Sequence, residues 1–320
     1  MHRSFVATGI IAFLCCSSVN AAEKIRIGVP QQVVHWMVFP LADKKGFFKE
    51  EGFDAEIVRI TGPSGRSALM SGEIDYYTTI AFMVQSIISG LPAKVVAAYV
   101  TCPPFVLMAR PEIKSPQDLK GKTIGIGSPP GSSTDVIGRL ALRHFGLNPD
   151  NDLKFVYLNS HERTYLALVQ GLYAVGLVPP PFDVQGKKLG MTFLARTDEL
   201  LVYPEDGLIA SVKKIKEKPD EVKRVIRAGI KANRYIRTQR DGTIQFLRDW
   251  QKVNLETASA NYDGASRVFN DDGGLPESAL KLIVDEAKKS AKIEREIPLS
   301  DVADLSILRD AQRELGIKTR

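Results

Sequence analysis

Ile27-Gly28-Val29-Pro30 and Ile126-Gly127-Ser128-Pro129 share the pattern Ile-Gly-x-Pro and stand 99 residues apart. The same offset relates Glu56-Ile57-Val58 to Phe155-Val156-Tyr157, and Ala68-Leu69-Met70-Ser71-Gly72 to Ala167-Leu168-Val169-Gln170-Gly171. Three segments holding one register in a chain without low-complexity tracts predict two similar units rather than a solenoid of many short ones. Each copy reads as strands alternating with helices. Lys24–Val29, Phe53–Ile60, Ile74–Thr78 and Lys94–Thr101 are expected strands, and the series restarts with Thr123–Gly127, Leu153–Leu158 and Tyr173–Val178. Helices are expected between them, at about 132–145 and 161–170 in the second copy. That alternation predicts an α/β protein with parallel layers.

The rest of the 320 residues frames this reading. Apolar residues make up 44% and charged residues 25%, which excludes a disordered chain and leaves enough apolar surface for a core. The formal charge of +6 is too small to argue for nucleic acid. The start, MHRSFVATGIIAFLCCSSVNAA, places Arg3 before an apolar run from Phe5 to Cys16 and ends in Val19-Asn20-Ala21. This is the pattern of a signal peptide over 1–21, cleaved after Ala21. The run is too short to span a bilayer, which takes about 20 apolar residues. Cleavage removes Cys15 and Cys16 and leaves Cys102 alone, so neither a disulfide framework nor a cysteine metal site is expected.

Beyond Gly207 the sequence turns helical. Pro219-Asp220-Glu221 is a helix start followed by Val222, Val225, Ile226 and Ile230 at helical spacing. Pro276-Glu277 opens another helix, and Leu305, Leu308 and Leu315 mark a last one. The stretch Lys213–Arg240 holds eleven Lys or Arg against three acids. It reads as a solvated helix face before it reads as a docking surface.

Enzyme signatures fail at identifiable positions. Gly62-Pro63-Ser64-Gly65-Arg66 lacks the closing glycine of a nucleophile elbow, and His161-Glu162-Arg163-Thr164-Tyr165 has Tyr165 where a zinc-protease motif needs its second histidine. Gly121-Lys122-Thr123 lacks the upstream glycine of a phosphate loop, and Gly125-Ile126-Gly127 runs into Ser128-Pro129-Pro130 rather than a dinucleotide fingerprint. No catalytic residue, metal or cofactor is expected.

What remains is a set of polar turns between strands and helices. Ser128, Gly131, Ser132, Ser133 and Thr134 follow one strand and open a helix, where hydroxyls and free backbone N–H groups are placed to receive an anion. Capping alone explains one such hydroxyl, not three in a row. The first copy offers Gln31, Gln32, His35 and Trp36 at its matching turn, then Ser64 and Arg66. Tyr77, Thr78 and Thr79 end a strand, with the choice between Tyr76 and Tyr77 as the cleft-facing ring left open. Arg163 belongs to the corresponding turn of the second copy, and Asp183 completes the expected set of ligand-binding residues. In open α/β sheets ligands sit outside the carboxyl ends of strands, which is where these turns fall.

Together, Lys24–Gly28, Ala42-Asp43-Lys44-Lys45-Gly46-Phe47-Phe48-Lys49-Glu50-Glu51-Gly52, Ser71-Gly72-Glu73-Ile74-Asp75, Asp118-Leu119-Lys120-Gly121-Lys122-Thr123-Ile124-Gly125 and Phe145-Gly146-Leu147-Asn148-Pro149 resemble the nitrate/sulfonate/taurine substrate-binding proteins of ABC importers. The resemblance runs over roughly 24–235. It implies a two-lobed type II periplasmic-binding-protein fold with two hinge crossings, expected near Tyr99–Phe105 and Tyr203–Gly207. One lobe would comprise 22–102 plus 207–320 and the other 103–206. It implies a secreted, periplasmic monomer that performs no chemistry, binds a small anionic ligand (a sulfonate, carboxylate or aromatic acid) and delivers it to an inner-membrane ABC permease, with no nucleic-acid partner. Gly171-Leu172-Tyr173-Ala174 lacks the acid the family often carries there, and Tyr76-Tyr77 replaces small residues; both changes admit a bulkier ligand. An enzyme related to pyrimidine-precursor synthases and a ligand-presenting sensor are the alternative readings.

Overall fold

The computed structural model describes residues 21–318. The leader expected at 1–21 therefore lies, but for Ala21, outside the described residues. Ten strands form two sheets: β1 (Glu23–Val29), β2 (Phe53–Arg59), β3 (Tyr76–Thr79), β4 (Ala93–Ala98), β5 (Val106–Ala109), β6 (Thr123–Ile126), β7 (Lys154–Tyr157), β8 (Val175–Val178), β9 (Thr192–Arg196) and β10 (Asp206–Ser211). Their orders are β2-β1-β3-β10-β4 and β7-β6-β8-β5-β9. The two orders are the same pattern. In each sheet four strands run in one direction, and one strand runs antiparallel between two of them.

That antiparallel strand is always the one the chain reaches after leaving the other sheet. From β4 it passes directly to β5, and from β9 it returns to β10. The two passages touch, because Tyr203 N donates to Thr101 O (2.8 Å) and Thr197 N donates to Phe105 O (2.9 Å). The parallel strands and the 99-residue repeat agree with the sequence reading. β5, β9 and β10 do not appear in that reading: β5 and β10 are buried on both faces, so neither shows the alternation that betrays a strand.

Helices cover the sheets with apolar stripes. The helix Pro219–Thr238 buries Val222, Val225, Ile226, Ile230 and Ile236 against the first sheet's core. Its cationic side is engaged within the molecule: Lys223 lies 2.8 Å from Glu314, Arg224 2.8 Å from Glu23 and Lys231 2.8 Å from Glu51, while Lys214 of the preceding helix Val212–Glu217 lies 2.7 Å from both Asp75 and Glu221. Ion pairs at partly exposed positions contribute about 0–1 kcal/mol each, so apolar burial fixes the helix and the charges set its register. Among the described residues no helix is long and apolar enough to cross a membrane.

Close packing beneath the first sheet yields a prediction. Gly65 lies in the helix Gly62–Ser71, and a Cβ added there would sit 2.5 Å from the Tyr77 ring. Alanine gains about 0.5–1 kcal/mol of helix propensity over glycine, while overpacking a fixed ring costs about 1–3 kcal/mol. Gly65→Ala is therefore expected to lower stability by about 1–2 kcal/mol in denaturant unfolding. A stabilised variant would show that the Tyr77 ring yields freely.

Candidate functional site

A cavity of about 480 Å³ opens between the two sheets. Its wall on the first side comes from the turns after β1 and β2 and from β3 itself, which bring Gln31, His35, Trp36, Thr61, Tyr77 and Thr79. The opposite wall comes from turns after β6 and β7, with Ser128, Gly131, Ser132, Ser133, Thr134 and His161. Both passages between the sheets contribute to it. Phe105 immediately precedes β5 and Glu205 immediately precedes β10, and both line the cavity with Tyr203. The helix Glu277–Ala291 closes one side through Ile283, Glu286 and Ser290.

Aromatic rings bridge the walls. The His35 ring lies 5.6 Å from Trp36 and 6.0 Å from Phe105, whose ring is 5.3 Å from His161. Burial pushes His35 down to about 3, with His161 adding to the effect, and pushes His161 down to about 4. Both imidazoles are thus neutral at physiological pH, and both present a buried Nδ1 without a hydrogen-bond partner. Glu205 is 6% exposed, and burial pushes it up to about 7 against a weaker opposing bond from Ser133. Its Oε2 is unpartnered, as is Oγ1 of Thr79. Asp206 beside it is driven well above the usual carboxylate range by burial and by Glu205.

The helix Ser133–His144 begins at this cavity, but its donors are largely occupied. Ser133 Oγ donates to Glu205 Oε1, and Ser128 Oγ donates to Thr134 Oγ1 at 3.1 Å. Ser132 caps the helix by accepting from Asp135 N, while Gly131 N donates to the Asp135 carboxylate at 2.8 Å. Asp135 therefore supplies the negative charge that a helix N-terminus favours.

Of the sequence-derived residues, Gln31, His35, Trp36, Tyr77, Thr79, Ser128, Gly131, Ser132, Ser133 and Thr134 meet around this cavity. The others do not. Gln32 turns its amide to the carbonyl of Trp250 and lines a second concavity with Asp43, Lys44 and Arg59. Ser64 and Arg66 belong to two further shallow concavities, beside Ser67 and beside Gln85. Thr78 is buried and donates to Gly28 O at 3.2 Å, Arg163 is exposed, and Asp183 is buried 3.5 Å from Arg196. The tyrosine ambiguity resolves too: Tyr76 donates to Glu221 at 2.8 Å, and Tyr77 faces the cavity. Phe105, Tyr203, Glu205 and Glu286 went unread. The proline-flanked passages Pro103-Pro104 and Pro204 were the available signal for the first three, since the residue completing each passage lands at the cavity.

The comparisons agree with this geometry. A family model described as NMT1/THI5 like matches residues 34–243. A Brucella abortus (strain 2308) protein, provisionally described as a binding protein, is 30% identical over 272 residues, which cover 81% of this chain and 83% of that one. A sulfonate ABC transporter periplasmic sulfonate-binding protein from Methylobacillus flagellatus KT, itself provisionally assigned, superposes with a TM-score of 0.76 at 17% identity, over 94% of this chain and 97% of that one. The desulfurization enzyme DSZB superposes with a TM-score of 0.64 at 13% identity, over 92% and 99%. The fold is that of periplasmic binding proteins, as the sequence resemblance implies.

The cavity's buried groups make stability depend on pH in opposite senses. Glu205 is raised from its ordinary value, so its contribution is full below about pH 4.5 and is lost as pH rises through about 7. The histidines are lowered, so theirs is full above about pH 6.5 and is lost as pH falls through about 4 and then 3. Glu205→Gln removes the first component and leaves Asp206, His35, His161 and the Arg143–Glu286 pair in place. The stability of this variant relative to the parent should rise steadily from about pH 5 to about pH 8 in thermal unfolding. A flat difference would mean that Glu205 stays ionised throughout.

Proposed function

The chain belongs to the NMT1/THI5-like family, and on that premise we propose that it is a periplasmic solute-binding receptor of an ABC importer. It takes a small organic solute between two lobes and hands it to a membrane permease. The observation that carries this reading is that one cavity is walled by turns of both sheets and floored by both inter-sheet passages. A solute held there touches both lobes at once, and it stabilises the closed arrangement by its differential affinity for it. The lobes are 22–102 with 207–320, and 103–206, and the passages around Tyr99–Phe105 and Tyr203–Gly207 serve as hinges. The leader pattern read over 1–21 supports export to the periplasm.

Contacts across the cleft rim support a closing motion. Arg143 of the second lobe lies 3.5 Å from Glu286, Arg267 lies 2.6 Å from Asp198, and Lys188 pairs with Glu256. Each pair keeps at least one partner partly exposed, and such pairs contribute about 0–1 kcal/mol each, which suits an interface that must also open. The enzyme reading is weaker on chemical grounds. Cys102, the one thiol beyond the leader, is buried, lies off the cavity lining, and is pushed up by its apolar surroundings. Among the described residues of the cavity, Ser133 against Glu205 is the one pairing with the form of a nucleophile and base, and no third group there orients it.

Three measurements test the proposal. Mass spectrometry of molecules carried through purification identifies the solute, and incubation should return that solute unchanged. Saturating solute should shrink the particle in small-angle scattering and, at a hundredfold excess over Kd, add about 2.7 kcal/mol of stability. Dimensions that stay fixed at saturation would sink the receptor mechanism. An altered solute would make the protein an enzyme, with Ser133 the first residue to replace.

A further inference from the structure

Resting on the receptor reading, we infer that the cleft selects a flat, hydrogen-bond-donating solute, neutral or cationic, and rejects the anions expected from sequence. Four observations meet at one cavity. Among the described residues that line it there is no Lys or Arg, whereas Glu205 and Glu286 both do. Glu286 faces Arg143 at 3.5 Å, but Glu205 has, among the described residues, no cation within salt-bridge distance. An anion entering here meets no cation to offset it, and it is accommodated only if Glu205 stays protonated, since burying it beside the ionised carboxylate is unfavourable.

Several of the donors that would receive an anion are already engaged. Ser133 gives its proton to Glu205, Ser128 to Thr134, and Gly131 N to Asp135. The buried atoms without partners are acceptors or can act as acceptors: Glu205 Oε2, His35 Nδ1, His161 Nδ1 and Thr79 Oγ1. A buried polar atom left unpaired is costly, and a solute with N–H groups satisfies several of these at once. The lining agrees. Trp36, His35 and Phe105 border the space as one aromatic cluster, with His35 5.6 Å from Trp36 and 6.0 Å from Phe105, and give a planar body apolar contact. A planar body bearing an amine or amidine edge would put its donors on Glu205 and its ring among these aromatics. A cationic edge would keep Glu205 ionised by supplying the counter-charge it now lacks.

An isosteric series tests this: benzamidine, benzamide, benzoate and benzenesulfonate, each titrated calorimetrically into the purified protein with small-angle scattering on the same samples. Benzamidine should bind about tenfold or more tighter than benzoate, with benzamide between them, as a charge-assisted bond against a repelled carboxylate requires. Glu205→Gln should erase most of that preference. Ser133→Ala leaves the carboxyl group in place and frees Oε1, so it should keep or strengthen benzamidine binding; it guards against an uninformative loss of folding in the first variant. Tighter binding of benzoate or benzenesulfonate, an unchanged preference in Glu205→Gln, or no binding by any of the four overturns the inference. Anion binding with compaction would discard the solute class and keep the receptor. Benzamidine binding without compaction would keep the class and discard the receptor.

Discussion

Each sheet is completed by a strand that runs against its neighbours, and the chain can supply that strand only by crossing from the other sheet. The remaining architecture depends on this exchange. β10 pairs on both sides, with β3 and β4, and β5 pairs on both sides, with β8 and β9. Neither passage can slip without breaking two ladders. The residue entering each of these strands is therefore fixed in space relative to both sheets. Those residues are Phe105 and Glu205, and the cavity forms where they emerge. The passages are also bonded to each other, through Thr101 with Tyr203 and Phe105 with Thr197. Two strands anchored at their ends and linked in the middle localise any relative motion of the sheets to a few residues.

Electrostatics divides the molecule into two regimes. On the surface of the first lobe the cationic stretch 213–240 meets Glu23, Glu50, Glu51, Asp75 and Glu314 at salt-bridge distance. Most of its charge is engaged within the chain. In the cleft the same chain buries titratable groups with few partners, and burial drives each toward its neutral form: His35 and His161 lose the proton, and Glu205, with Asp206 beside it, is pushed toward holding it. A site kept neutral in this way avoids the cost of an isolated buried charge and leaves unpaired polar atoms to be satisfied by whatever enters. The turn Ser128–Thr134 illustrates the difference between residue type and residue state. Gly131 N–H and the Ser128 and Ser133 hydroxyls are of the kind that hold an anion, yet Asp135, Thr134 and Glu205 have already engaged them.

By itself the sequence determined the features that local periodicity and repetition encode. The alternation of Lys24–Val29, the Gly-closed helices and the 99-residue register made the α/β class and the two-unit plan readable, because each depends on residues close together in the chain. Most of the turns that reach the cleft were readable for the same reason: they lie at the ends of recognisable strands, as with His35, Thr79 and Ser132. Only the tertiary structure decided which of these turns meet. Arg66 and Arg163 occupy turns of the right kind but sit off the cavity, and nothing local distinguishes them from Gln31 or Ser133. β5 and β10, buried on both faces, carry no alternation, so the crossings that deliver Phe105 and Glu205 had no periodic signature. The charge of the site was equally hidden. Whether a carboxyl group is ionised, or a hydroxyl free, depends on partners more than seventy residues away, as between Ser133 and Glu205, and those distances exist only once the chain has folded.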